Sequence, residues 1–433
     1  MGIICSIICA FLSLYGYIHI GKKKLYSPLF VFSLFWSVLT FLSELRLFDL
    51  YETSVFAYLC VIIGLVGFAV GCFIVHAKKN NIKKSRKQIL SGFRYKLLLI
   101  VCLFALVLNF QVIFKFIISG FDVSFIYYTM AANASGAETE MSDLFNDNLL
   151  RLQQFVAYPL LYTIVPISIA EYLETKKKSY LWIAILLSLV RFLFDIRRTY
   201  FVILVIFVII FLVIRRNKLI SQKIKRASLT FKTKIRICLG VSFVIIIFSI
   251  LSTARRSEND LNGEYSFIEN FYFYYVGSLP YFGQRLEQLD NAEYTLGLTS
   301  FRGFFSPIFA VTKLLGADTP DLMEISTENI NSLHNTTLLI TPIHKSNSYA
   351  TCFFEFFLDG GYIGVFLFSF LFGYYSQYLF EKAEKYKMQR DMWKYAYFTS
   401  LYIFLSVLHF NGAVVCYLWP FIIERLFYMR KSC

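Results

Sequence analysis

Apolar runs recur along this chain from its first residues to its last, and they leave few ways for it to fold. Val202–Ile214, Val241–Leu251 and Gly364–Phe372 are almost uninterrupted Ile, Leu, Val and Phe. A backbone inside a bilayer must satisfy its own polar groups, so such runs are predicted to be helices. About twenty apolar residues cross the hydrocarbon layer. Windows of this kind fall near 2–20, 28–47, 55–76, 97–118, 152–173, 179–194, 199–214, 237–254, 361–380, 395–410 and 412–428. The chain is 57% hydrophobic, 19% aromatic and only 16% charged over 433 residues. It is therefore expected to be an all-α polytopic membrane protein with about 11 (10–12) transmembrane helices. The first window has neither a basic n-region nor a small-residue cleavage site, so it reads as a retained helix.

The charges sort the loops into two kinds. Segment 78–96 carries eight basic residues and no acid, and segment 215–236 carries nine and no acid. Between apolar helices such runs mark the cytoplasmic side rather than a nucleic-acid site. Lys22–Lys24, Lys176–Lys178, 381–394 and Arg430-Lys431 fall on that same side when the helices alternate. Loop 119–150 has five acids and no base, and loop 255–348 has eleven acids against six bases. Both long loops are expected outside, with an external amino terminus and a cytoplasmic carboxyl terminus. Three parts follow. They are residues 1–254 with eight spans, external loop 119–150 and a hairpin tip at 195–198; a large external loop at 255–348 with interfacial helices; and 349–433 with three spans. The windows 179–194 and 199–214 are short for a ~30 Å layer, so they are expected to form a hairpin that barely emerges.

The nine cysteines avoid both long loops, and no disulfide framework or zinc spacing is present. No Asp-x-Asp occurs, which argues against metal-dependent sugar-nucleotide chemistry. No cofactor is implied. No inverted repeat and no isolated Asp, Glu or Lys at a helix centre suggests ion-coupled transport. Large loops on one face point instead to chemistry or binding at the outer surface.

On that mainly acidic face a few cations stand out. Arg197 and Arg198 lie at the hairpin tip, followed by Tyr200, with Arg191 about one turn before. Arg255 and Arg256 lie where the 237–254 helix emerges, and Arg285 and Arg302 within the large loop. A guanidinium offers a permanent charge and a planar fork matched to phosphate oxygens. Any one of these could simply anchor a helix end by snorkelling, but two doublets on the poorly basic side suit a lipid-linked pyrophosphate. Glu355 and Asp359 are four apart and share a face if the segment is helical. Gly360-Gly361 can bend the chain there. Either carboxylate could act as base toward a sugar hydroxyl, or could equally be an acidic helix end. His334 and His344 are the only histidines in the external loops and are further candidates near neutral pH. The aromatic run 271–275 could stack on sugar rings or form an amphipathic helix lying on the membrane, and the segment 301–315 suits an interfacial or re-entrant helix.

Three islands resemble the O-antigen polymerase family, which joins oligosaccharide repeat units in bacterial surface polysaccharide assembly. They are Arg-Arg-Thr-Tyr-Phe at 197–201, the large loop opened by Arg255-Arg256, and the stretch from Asn347 through Asp359, Gly361 and Gly364, similar to the family's Asn…Asp-x-Gly-x-x-Gly pattern. From Arg285 the nearest glycine that could complete an Arg-x10-Gly loop motif is Gly297, one residue too far. The resemblance implies a metal-independent, GT-C-like glycosyltransferase in the bacterial inner membrane. Donor and acceptor would both be undecaprenyl-diphosphate-linked oligosaccharides, with a chain-length regulator and a flippase as partners. Arg256 would then serve catalysis beside Glu355, Asp359 or His344. Arg197, Arg198, Tyr200, Arg255, Arg285, Arg302, His334 and Asn347 would hold pyrophosphate or glycan. An O-antigen ligase shares the plan of many helices and one large loop. A lipid-linked oligosaccharide flippase would instead need twelve or more helices and short loops on both sides.

Overall fold

The computed structural model describes residues 1–21, 23–82, 88–108, 152–195, 199–221, 267–289, 293–316, 318, 320–347, 351–401 and 418–430. Loop 119–150, the whole 237–254 window, and residues 402–417 lie outside them. The described chain is a mostly helical membrane protein. Among these residues four helices are long and apolar enough to cross a bilayer: Gly2–Ile20, Val55–Ala77, Phe155–Thr175 and Cys352–Tyr386.

In chain order, α1 (Gly2–Tyr15) runs on through a π-turn at Gly16–Ile20, and α2 (Pro28–Glu44) opens on a proline whose fixed φ suits a first turn. The start of α3 (Val55–Ala77) is capped by Ser54, which accepts from Ala57 N. A short strand β1 (Gln88–Leu90) leads to α4 (Gly92–Val107), capped likewise by Ser91. α5 (Tyr158–Thr175) ends on Lys176 in the left-handed region, and α6 (Lys178–Asp195) folds back directly. α7 spans Thr199–Ser221. The described part of the large loop holds four helices: α8 (Phe267–Val276), α9 (Ser278–Glu287), α10 (Arg302–Leu314) and α11 (Asp321–Asn335). A hairpin pairs β2 (Thr337–Leu339) with β3 (Lys345–Asn347). α12 (Cys352–Tyr386), α13 (Gln389–Ser400), α14 (Trp419–Phe427) and β4 (Tyr428–Arg430) complete the order.

The helices formed by the two short windows are longer than hydropathy suggests, while the expected tip at 196–198 lies outside the described residues. α6 has 18 residues and α7 has 23, roughly 27 and 35 Å at 1.5 Å per residue. Polar ends belong to these helices: Arg215 Nε lies 3.4 Å from Glu174 Oε2 at the end of α5. The aromatic run at 271–275 and the 301–315 segment are helical, as read from the sequence.

Packing divides the chain into two units, one of Met1–Ser85, Asn262–Tyr386 and Leu401–Trp419, the other of Arg86–Leu261, Lys387–Ser400 and Pro420–Cys433. The described part of the large loop packs with α1–α3 and α12 instead of forming a body of its own.

In the first unit, α3 and α12 touch backbone to backbone. A β-carbon on Gly71 would collide with Phe370 O, and one on Gly373 with Phe68 O. Small residues let membrane helices approach this closely, since lipid supplies no hydrophobic drive to join them. Above and below the glycines, Phe32, Trp36, Phe68, Phe353 and Phe372 interlock, with Phe32 and Phe68 stacked at 4.5 Å. α1 and α2 are joined by Ser6 and Ser37, each hydroxyl donating to the other's carbonyl at 2.9 and 3.0 Å. The unit has two distinct ends. At one, Lys24 pairs with Glu384, His76 Nδ1 lies 2.7 Å from Glu381 Oε1, and Lys385 donates to the carbonyls of Asn80 and Ile82. At the other, Tyr51 N donates to Ile340 O at 2.8 Å, and the Tyr272 hydroxyl donates to Leu42 O while accepting from Leu47 N. The basic turns thus gather at one end and the large loop at the other.

In the second unit, α5 packs against α6 and α4, and α7 against α13. β1 and β4 are antiparallel, with Ile89 opposite Met429. Glu424 is fully buried, accepting from Arg390 Nε at 2.7 Å and pairing with Lys394.

Candidate functional site

The most organised polar arrangement of the large loop surrounds Asp359. α12 is broken at Gly360-Gly361, and Gly361 takes φ 60, ψ −149, a conformation L side chains rarely adopt. Tyr294 closes over this glycine, its hydroxyl 2.8 Å from where a β-carbon would sit. The helical segment before the break ends on Asp359, whose carboxylate reaches back across the sequence to the turn ahead of α10. Asp359 Oδ1 accepts from the Thr295 hydroxyl at 2.6 Å and from Thr299 N at 2.9 Å, and Oδ2 accepts from Ser300 N at 3.0 Å. Leu296 N donates to Asp359 O at 3.0 Å. A carboxylate at the start of a helix satisfies amides that would otherwise lack partners and complements the helix dipole.

The turn itself is shaped for this. Gly297 has φ 100, and a β-carbon there would lie 3.0 Å from the ring of Phe368. Ser326 of α11 donates to Leu298 O at 3.1 Å, closing the turn from the other side. Two residues beyond Ser300, α10 begins with Arg302. Burial pulls the proton affinity of this guanidinium below its ordinary value. No hydrogen bond or ion pair holds it among the described residues.

Glu355 and Asp359 share one helical face, as their spacing predicts, and both are buried at 0% and 1% exposure. Asp359 is committed to three hydrogen bonds and positions the turn. Its geometry is that of a clamp. His344, at the tip of the β2–β3 hairpin, is the more accessible candidate base. Its ring stacks on Phe273 at 4.7 Å and 19°, and its backbone N–H donates to the Thr341 hydroxyl at 2.8 Å.

Arg285 lies on α9 and is only 9% exposed. Nη2 donates to Ser332 of α11 at 2.7 Å and Nη1 to Gln288 at 3.3 Å, while Nε has no partner among the described residues. Both partners are neutral, so this buried charge meets no carboxylate there. His334 lies in α11, and Asn347 closes β3 opposite Thr337. Tyr200 belongs to the other unit, where it is buried edge-on to Tyr162 at 4.9 Å. Arg191 lies in that cluster as well, its guanidinium 3.8 Å from the ring centre of Tyr158, a cation–π contact. Arg197, Arg198, Arg255 and Arg256 lie outside the described residues.

Thr295, Thr299, Ser300, Tyr294 and Phe368 were not singled out by their sequence. The signal was present as two threonines one helical turn apart, followed by serine, in Thr-Leu-Gly-Leu-Thr-Ser. Nothing in it named a partner sixty residues on. Comparisons with protein-family models, with curated proteins and with solved structures yield no match to this chain.

Proposed function

We propose that this protein is a polymerase of lipid-linked oligosaccharide repeat units. It would transfer a growing glycan from undecaprenyl diphosphate to the non-reducing sugar of a second undecaprenyl-diphosphate-linked unit, without a metal. The reading places it in the bacterial inner membrane with about eleven spans, a GT-C-like plan, an external large loop and a cytoplasmic carboxyl terminus. A chain-length regulator and a flippase would be its working partners.

One observation carries most weight. Asp359, within the Asn347–Gly364 pattern, clamps the turn that leads into Arg302, and Arg302 has no anionic partner among the described residues. An arginine kept without an internal counter-ion at the loop end of the unit is suited to a leaving diphosphate, where charge develops. Arg285, with neutral partners only, is suited to a second phosphate or a glycan hydroxyl. His344 is the preferred base, since it is only half-buried where Glu355 and Asp359 are fully buried. Asp359 then acts as a positioning residue.

The test is a gel of surface polysaccharide from cells lacking this gene alone. Collapse of the ladder to core plus a single repeat unit is the expected result, because capping persists while extension stops. Bare core with long lipid-linked chains accumulating would overturn the reading in favour of a ligase. An unchanged ladder for every surface glycan would overturn both.

A further inference from the structure

Helix α10 carries an apolar stripe that, beyond Phe304, no described element covers. Phe304, Ile308, Val311 and Leu315 follow at spacings of four, three and four, so they fall on one side of the helix and its last turn. Phe304 is partly shielded, its ring stacked on Trp419 at 5.1 Å. The other three are increasingly exposed, ending with Leu315 at 81%. The hydroxyls of this helix turn inward. Ser306 donates to Arg302 O at 2.7 Å and Thr312 to Phe309 O at 3.0 Å, so neither needs water.

The depth of this helix can be read from its neighbour. Gly361–Phe380 is the apolar part of α12 after its break, before the charged end at Glu381. Its twenty residues cover about 30 Å, the thickness of the hydrocarbon layer. Phe368 lies seven residues into that stretch, roughly 10 Å below the break. Phe301, immediately before α10, packs on Phe368 with ring centres 5.9 Å apart, and Gly297 lies against the same ring. The ring of Phe301 therefore reaches the ring of Phe368 while Leu296 N stays bonded at the level of Asp359, so α10 begins between the break and that ring, with Arg302 near the loop end. On α12, Ile363, Leu367 and Leu371 flank Phe368 and are exposed along one stripe. A span's exposed apolar stripe meets acyl chains. Leu296, 77% exposed, is bonded to the top of the same helix.

We infer that α10 is a re-entrant helix seated in the leaflet on the large-loop side, its Ile308–Val311–Leu315 face in contact with lipid acyl chains. The continuity between Phe301 and the lipid-facing band of α12 selects lipid over a protein partner. This placement is independent of whether the protein polymerises glycans.

The experiment uses the full chain with its native cysteines replaced, reconstituted in phosphatidylcholine–phosphatidylglycerol vesicles. Single cysteines replace Val311 or Leu315, with Leu367→Cys as a lipid-exposed control and Glu328→Cys on α11 as a water-exposed control. Each carries a bimane fluorophore, quenched either by nitroxide-labelled lipid or by iodide. The expected result is quenching of positions 311 and 315 by labelled lipid within twofold of position 367, with iodide quenching several-fold below position 328. Iodide quenching equal to position 328 would overturn the inference. Protection from both quenchers would overturn it too, since a protein partner would then cover the face. Two positions one turn apart guard against a local defect in either variant.

Discussion

Two buried carboxylates show contrasting uses of charge in this molecule. Glu424, in the unit that contains α13, is neutralised by Arg390 and Lys394. Asp359, in the unit that contains the large loop, is held by a threonine hydroxyl and two backbone amides, with no cation among the described residues. Around Glu424 the basic side chains are consumed by the fold. Around Asp359 the fold is satisfied by neutral donors, and Arg285 and Arg302 are left with their charge uncompensated by any described carboxylate. A buried ion pair contributes specificity more than net stability, whereas an arginine without a counter-ion is useful only if something else brings the anion. The difference therefore separates a structural cluster from a receptive one.

The contrast can be broken most forcefully at Glu424. Glu424→Ala leaves two buried cations facing each other and should cost about 3–5 kcal/mol, read as a large drop in unfolding midpoint in detergent. A variant as stable as the parent would show that the pair is not neutralising those charges. Arg302→Met should do the reverse. Stability should change by less than about 1 kcal/mol because no pair is lost, while polymer formation falls by about 10²-fold or more, the scale for removing one charge-stabilising donor. If the variant polymerises normally, Arg302 is only an interfacial anchor.

Asp359→Asn sharpens the comparison. The amide keeps one acceptor oxygen but turns an N–H₂ toward an N–H, so a loss of about 1–3 kcal/mol is expected. Residual polymerisation should persist in proportion to folded protein. Complete loss of activity in a fully stable variant would return Asp359 to the chemistry. Smallest is Tyr272→Phe, which removes a hydroxyl bridging Leu42 O and Leu47 N and should cost about 1 kcal/mol. Burial pushes this phenol up to about 12. Because the folded value is raised, its contribution is complete below the ordinary tyrosine pKa of about 10 and is lost as pH rises through 12. An alkaline unfolding curve should lose that step in the Tyr272→Phe variant.

Much of the fold was legible in the sequence because lipid imposes a single rule, and hydropathy reads it directly. The bend at Gly360-Gly361 was legible for a local reason, since paired glycines before a long apolar run have few other uses. The ends of α6 and α7 were harder. Hydropathy stops at the first cations, yet Arg215 continues the helix and reaches Glu174, because long basic side chains can extend to polar surroundings from an apolar stem. The partner of Asp359 was not legible at all. Its donors are backbone amides and a threonine about sixty residues away, and any residue type except proline supplies an amide. The glycines of α3 were visible as small residues, but their register against Phe366 and Phe370 depends on a contact some three hundred residues distant.

That glycine seam has a mechanical consequence. Where carbonyl oxygens of one helix fill the space side chains would take on another, neither rod can slide or roll without steric overlap. α3 and α12 consequently behave as one stiff beam below the break at Gly361. Strain applied to the large loop cannot be absorbed along that beam and must be taken up above it, in the turn around Leu296 and Gly297.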